Sequence, residues 1–442
     1  MATAAGISLG PPRRTLLDRC LLLFSEVRDG EGAGVLLLAA NVFLLLGTYY
    51  ILKTIREPLI LSQPGGAEMK SYAAVAQTAL FLLLIPLYGM IGSRANRMRL
   101  IASTMGFFIV NLAAFFALGM ANFRIGIAFY IWVGVFNMFV VAQFWSFAND
   151  LYTEEQGKRL FPIAGTGASL GALLGALFAE WLFGHFSPYQ MMAIAAVMLV
   201  GCLGLTYAAH RREIGRGNPA GARRAAEPLD RKGGFQLIAK DRYLLLIAAL
   251  VLLLNVVNTN GEYMVSRFVS ESAQHLPKAA QNRFIGQFYG DYFSWVNLLG
   301  LVMQTFLVSR LFRWIGIGGA LFVLPIISLT GYSMLAFAPA LAVIRAAKIF
   351  ENSTDYSLNN TVRHALFLPT SREAKYKAKA AIDTFFVRGG DVVSAGCVFI
   401  GAHWLSLTVP KMALLNVGLV MAWLVLAVLI RRRHAQLTAK AN

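Results

Sequence analysis

The stretch Asn41 to Leu61, NVFLLLGTYYILKTIREPLIL, constrains this chain more than any other. It reads as one membrane-crossing helix with Lys53, Arg56 and Glu57 set inside an apolar run. A charge in hydrocarbon costs several kcal/mol, so such charges face a watery cavity or a partner. Tyr49, Lys53 and Arg56 are spaced i, i+4 and i+7 and share a helical face. Glu57, four residues after Lys53, is positioned to pair with it. The competing reading ends the span at Tyr50 and leaves the charges in water. The first reading predicts a cationic wall in a transport pathway, the second an ordinary interface cluster.

The rest of the chain has the composition of a membrane protein. Of 442 residues, 57% are hydrophobic and 14% charged, against roughly 25% charged in soluble domains. Apolar stretches of about 20 residues mark spans. They fall near 35–61, 72–91, 100–119, 125–148, 161–183 and 189–209, and again near 243–262, 288–308, 315–337, 340–362, 381–405 and 411–430. The expectation is an all-α polytopic fold of 12 transmembrane helices in two six-helix bundles. The divisions are a cytoplasmic N-terminus (1–34), a first bundle (35–209), a cytoplasmic linker (210–242), a second bundle (243–430) and a cytoplasmic tail (431–442). Residues 15–28 suit an amphipathic helix lying on the membrane surface. The seventh and tenth spans are the most polar.

The formal charge of +18 does not call for a nucleic-acid partner. With the N-terminus inside, 29 of the 40 Lys and Arg fall in inside segments, 6 in outside loops and 5 within spans. That bias is the positive-inside rule with both termini cytoplasmic, and the basic loops face anionic lipid headgroups. Cys20, Cys202 and Cys397 are too scattered for a disulfide framework or a CxxC metal motif.

The halves echo one another. GSRANRMR follows the second span and VSRLFRWI the eighth, so that Arg94 and Arg310, like Arg97 and Arg313, differ by 216. EEQGKR after the fourth span and SREAKYK after the tenth form a second echo. Short matches arise by chance, but with the six-plus-six layout they point to two related bundles about a central axis, the major-facilitator arrangement.

Polar positions inside spans supply the candidate site. Asn255, Asn258, Thr259 and Glu262 share a face of the seventh span, opposite the cationic face of the first; the alternative is an interhelical hydrogen-bond seam. Lys348, Glu351, Asn352 and Asp355 share a face of the tenth span, either as a gating salt-bridge network or as substrate contacts. Lys375 and Lys377 suit a solvated inside loop. Lys379 and Asp383 are spaced i, i+4, Arg388 and Asp391 i, i+3. Arg388 lies deep in its span, where a guanidinium suits bidentate binding of phosphate or carboxylate. Gly167, Gly171 and Gly175 form a double GxxxG that favours close helix packing over phosphate binding. Trp145, Tyr292 and Trp295 are packing residues or, less simply, stacking platforms. The six histidines are scattered, no catalytic or metal motif is present, and neither an enzyme nor a cofactor is expected.

Three stretches resemble the ATP/ADP translocase (nucleotide transporter) family of plastids and intracellular bacteria. They are YYILKTIREPLIL, FWSFANDLYTEEQGKRLFPIAGTGASLGA and FLPTSREAKYKAKAAIDT. Lys53, Arg56 and Glu57 match that family's basic-acidic cluster in the first span. Phe144, Trp145, Phe147, Ala148 and Asn149 match its FWxFAN. Lys375, Lys377, Lys379, Ala380, Ala381, Ile382 and Asp383 match its KxKGKAAID, with Ala378 in place of the glycine. Glu262 resembles its acidic residue in the seventh span. Val133 stands about where the family's exchangers have an acidic residue in the fourth span.

The resemblance implies nucleotide transport by alternating access; a bacterial inner membrane and a monomer are further expectations. Tyr49, Lys53, Arg56, Asn149, Asn255, Glu262, Asp355, Lys379 and Arg388 are the expected substrate contacts. Glu57, Arg94, Arg310, Lys348, Glu351, Asp383 and Asp391 are the expected gating residues. The alternatives are a proton-coupled carrier of another organic anion, with Glu262 or Asp355 titrating, and a non-transporting lipid-handling or scaffold protein.

Overall fold

The computed structural model describes residues 26–28, 30–92, 97–215, 234–371, 374 and 378–441. Most of the surface helix expected over 15–28, Arg94, most of the linker, Lys375 and Lys377 lie outside the described residues. The described secondary structure is helical, with no strand.

The first half comprises α1 (Gly32–Leu61), α2 (Gly66–Gly92), α3 (Arg97–Met120), α4 (Gly126–Leu151), α5 (Glu154–Phe183) and α6 (Pro188–Gly215). A short helix, Gly234–Lys240, leads into the second half. There follow α7 (Arg242–Gln274), α8 (Lys278–Val302), α9 (Val323–Phe337), α10 (Leu341–Thr354), α11 (Val387–Phe399) and α12 (Val409–Ala441). Single π-helical turns extend several of these: Met303–Leu307 after α8, Asp355–Asn359 after α10, Ile382–Phe386 before α11 and Ile400–Trp404 after it. Nine helical segments among the described residues are long and apolar enough to cross a membrane. The first span does not stop at Tyr50: α1 runs 30 residues through the charged cluster and past Pro58. At about 1.5 Å per residue that is about 45 Å, enough for a bilayer with its headgroups.

Local chemistry sets the helix starts. Thr153 and Gln156 form a capping box at the head of α5, and the Asp241 carboxylate accepts from the Tyr243 amide at the head of α7. The double GxxxG is a packing device. A Cβ at Gly167, Gly171 or Gly175 would stand 2.6, 2.3 or 2.5 Å from backbone atoms of Ala39, Phe43 or Gly47, so α1 and α5 touch backbone to backbone.

The two halves meet at one end only in their apolar cores. One buried cluster is confined to the first half. The other is built on the second half and takes in Tyr50, Ile60, Leu61, Ala67, Ala73, Tyr130, Ala172 and Ala176 from the first. Those residues occupy the last part of α1, the start of α2, the start of α4 and the later part of α5, which all lie towards the same membrane face. Polar contacts reinforce this end. Ser270 donates to the Leu61 carbonyl at 2.9 Å, Tyr263 to Glu68 at 2.9 Å, and Arg283 to the Gly184 carbonyl. The molecule is therefore sealed at the end where α1 finishes and α2 begins.

Candidate functional site

A cavity of about 390 Å³ lies between the halves, on the inner side of that seal. Its lining combines α1 (Tyr49, Lys53, Arg56, Glu57), α2 (Lys70, Ser71, Gln77), α4 (Tyr130, Asn137, Met138), α7 (Asn255, Asn258, Thr259, Glu262), α8 (Phe293), α10 (Asn352) and α11 (Arg388, Asp391). Four cations face three carboxylates, Lys53, Arg56, Lys70 and Arg388 against Glu57, Glu262 and Asp391, which leaves one positive charge in excess.

The carboxylates are each held by identifiable donors. Glu57, fully buried, is bound by Arg56 Nε at 3.0 Å and by Lys70 Nζ at 2.7 Å. Its expected partner Lys53 does not reach it. Lys70, counted among the outside loops by sequence, instead enters the cavity from the second turn of α2 and also donates to Ser266 at 3.0 Å. Glu262 accepts from Tyr292 at 3.0 Å and Asn352 at 2.9 Å, with Lys348 Nζ 3.7 Å away. Asp391 accepts from Asn255 at 2.8 Å, Thr259 at 3.1 Å and Arg388 at 3.1 Å. Site and seam thus occupy adjacent faces of α7. Asn260, one residue from Thr259, bonds Asn416 of α12 and Ser394 of α11 in the interior of the second half.

Lys53 differs from the other three lining cations. Among the described residues its ammonium makes no ion pair; it rests 4.0 Å from the centre of the Phe293 ring and 5.1 Å from that of Tyr50. Arg56 packs its guanidinium over Tyr130 at 4.5 Å, which leaves the rest of its donor fork towards the cavity. Arg388 lies over Phe81 of α2 at 4.8 Å. The aromatic faces stabilise the cations without neutralising them.

Several expected site residues stand elsewhere. Asn149 is exposed near the end of α4, away from the cavity. Asp355 does not line the cavity; it opens a π-helical turn and its carboxylate accepts from Asn359 at 2.7 Å. Asp383 pairs with Arg363 at 2.6 Å rather than with Lys379, and neither Lys379 nor Asp383 lines the cavity. Arg310, in the helix Val308–Ala320 that follows the π turn after α8, is exposed and donates to the Phe306 carbonyl in that turn. Lys348 and Glu351 lie 3.4 Å apart and buried between α10 and α7, within one half rather than across the two. There Lys348 also donates to the Asn258 side chain, and Tyr332 donates to Glu351 at 2.7 Å. Trp145 packs against Phe144 and Phe161, and Trp295 is exposed.

Sequence reasoning missed Lys70, Gln77, Tyr130, Asn137 and Phe293. A signal existed for α2. Lys70, Ser71, Gln77 and Thr78 repeat at i, i+1, i+7 and i+8, a polar stripe along an otherwise apolar helix, and all four are buried. Gln77 reaches its place because α4 carries Gly134, where a Cβ would stand 2.2 Å from the Gln77 side chain.

The "ADP,ATP carrier protein 1" of Chlamydia trachomatis is 22% identical over 461 residues, covering 86% of this chain and 85% of the relative. The protein of the same name from Chlamydia pneumoniae is 24% identical over 346 residues, 68% of this chain and 65% of that one. The crystal structure of the nucleoside transporter NupG superposes with a TM-score of 0.64 at 12% identity, over 89% of this chain and 98% of that one. The sequence pattern of the Major Facilitator Superfamily matches residues 35–350. Two helical halves around a polar cavity and a family match over most of the chain lead to one assignment: this protein is a membrane transporter that belongs to the Major Facilitator Superfamily.

Proposed function

We propose that the protein carries nucleotides, or a closely related phosphorylated metabolite, by exchange through alternating access. The observation that carries this reading is Lys53: a lysine inside a membrane helix, lining the central cavity, with an aromatic ring against it and no carboxylate partner. A cation left so is costly in a membrane unless an anion visits it. Arg56 and Arg388 line the same cavity and supply the planar donor forks that suit phosphate oxygens. Resemblance to the ADP,ATP carrier proteins supports the same substrate class. Tyr49, Asn255 and Glu262 are the further substrate contacts or their supports, and Glu57 and Asp391 the counter-charges that give way when an anion arrives.

The carboxylates available for proton coupling are already engaged, Glu262 by Tyr292, Asn352 and Lys348 and Asp355 by Asn359, which favours exchange over proton symport. The sealed end is the extracytoplasmic one if the basic segments are cytoplasmic, so the cavity faces the cytoplasm; a bacterial inner membrane and a monomer complete the proposal. Uptake of labelled ADP by proteoliposomes loaded with ATP, compared with liposomes lacking internal nucleotide, tests it. Uptake that is equal in both, or absent with every nucleotide tried, defeats it.

A further inference from the structure

We propose that the α8–α10 wall of the central cavity is the subsite for the uncharged part of the substrate, where Asn352 accepts a hydrogen bond from an N–H or O–H group. The inference rests on the carrier reading above and adds to it the part of the ligand that the cations do not hold. The chemistry is that of a nucleoside, with an exocyclic base amine or a ribose hydroxyl as the donor.

The cavity is chemically divided. Its charged lining side chains come from α1 (Lys53, Arg56, Glu57), α2 (Lys70), α7 (Glu262) and α11 (Arg388, Asp391). The lining from α8 and from α10 with its π turn is Phe293, Asn352 and Tyr356, none of them charged. The α4 lining is uncharged as well, but there Tyr130 already carries the Arg56 guanidinium. Phe293, with the Lys53 ammonium against its ring, marks the border between the two parts. It continues an aromatic run into α1: its ring centre lies 6.0 Å from that of Tyr50, which is 5.4 Å from that of Tyr49. Tyr356 is 47% exposed, and its hydroxyl makes no hydrogen bond among the described residues. An exposed ring on an uncharged wall suits the face of a base.

Asn352 supplies the directional contact. It is 4% exposed. Its Nδ2 donates to Glu262 at 2.9 Å and to the Tyr292 hydroxyl at 2.7 Å, and Tyr292 in turn donates to Glu262 at 3.0 Å. An ionised carboxylate only accepts, so this triangle fixes which end of the amide is nitrogen and spends both of its hydrogens. What is left is Oδ1, buried and without a partner among the described residues. Buried side-chain oxygens are as a rule paired. An amide oxygen beside the Glu262 carboxylate repels phosphate and takes a neutral donor instead. The phosphates therefore go to the cations and the rest of the nucleotide to this wall.

Such an acceptor also discriminates. A substrate without the donor leaves Oδ1 buried and unpaired, and a site built around a hydrogen bond rejects that analogue far more strongly than an apolar pocket rejects a missing methylene.

Binding of ADP to the full-length protein is compared with binding of three analogues: purine riboside diphosphate, which lacks the 6-amino group, 2′-deoxy-ADP and 3′-deoxy-ADP. Wild-type protein should bind at least one of them about tenfold or more weakly than ADP, the scale of a buried polar group left unpaired. Which one it is separates the base amine from the ribose hydroxyl. In Asn352→Ala that difference should disappear, as a double-mutant cycle requires of an interaction already removed, while inorganic pyrophosphate binds as it does to wild type. Tyr356→Leu, at an exposed position, should weaken ADP about fivefold or more and leave pyrophosphate unchanged; this arm and the wild-type analogue series decide the matter if Asn352→Ala does not fold. An analogue loss that persists in Asn352→Ala overturns the subsite. If ADP binds and no analogue differs from it, the subsite alone falls; if ADP does not bind at all, the carrier reading falls with it.

Discussion

The ammonium of Lys53 lies 4.0 Å from the centre of the Phe293 ring, a contact between the first helix of one half and the second helix of the other. The cation that lacks an acidic partner is thus steadied by the half against which it must move. Anion binding at Lys53 would compete with that cation–π contact, worth roughly 0.5–2 kcal/mol.

Lys53→Ala and Arg56→Ala should each weaken substrate binding about ten- to a hundredfold, since a charge-assisted hydrogen bond contributes roughly 1.5–3 kcal/mol. Arg56→Lys should restore part of the loss, because an ammonium lacks the planar fork. Binding and uptake in proteoliposomes check this. Wild-type values in both alanine variants would return these charges to the status of interface residues.

Lys348 should behave differently. It is fully buried between Glu262, Glu351 and the Asn258 side chain. Lys348→Ala strands those carboxylates and should cost about 3–5 kcal/mol of stability, visible as a lower melting temperature before any transport assay. Adding Glu351→Gln should recover part of the loss. A stable Lys348→Ala protein with impaired transport would instead make Lys348 a substrate contact.

The glycines of α5 offer a paired prediction. Gly171→Val meets the Phe43 carbonyl and should prevent assembly, whereas Gly165→Ala, with nothing within 4 Å of its Cβ, should be tolerated. Expression and monodispersity in detergent report both.

Acid sensitivity should have one identifiable source at the head of α1. Burial alone would raise the Glu31 carboxyl, but hydrogen bonds from the Arg159 side chain, the Arg28 amide and Gln156 hold it below the ordinary carboxylate range. A carboxylate so lowered stabilises the fold at pH values above that range. The contribution is lost as pH falls through the lowered value. Glu31→Gln should reduce stability at neutral pH and flatten its dependence on pH below about 4.5, the ordinary carboxylate value. An unaltered acid limb in thermal melts would refute this.

How far the sequence discloses the protein depends on distance along the chain. The spans, their pairing into halves and the cationic face of α1 follow from periodicity within one helix. The same holds for the polar face of α7, since Asn255, Asn258, Thr259 and Glu262 all reach the cavity. What periodicity within one helix does not reveal is partner choice. Glu57 is satisfied by Arg56 beside it and Lys70 from the next helix rather than by Lys53 one turn back. Asp383 turns to Arg363, and the Asp355 carboxylate to Asn359 within a π turn. Short matched motifs are equally blind to placement: Asn149 belongs to one and does not line the cavity.

The backbone contact between α1 and α5 has a mechanical consequence. α1 carries Lys53 and Arg56, while α5 meets α8 directly: Glu180 faces Gly290, and Phe183 faces Gly286. With Gly47 pressed on Gly175 there is no compressible side-chain layer between α1 and α5 to absorb a displacement. The two helices form a stiff lever with the ligand's handle on one arm and the α8 fulcrum on the other. A displacement of α1 by a bound anion should therefore reach the α5–α8 contact with little loss.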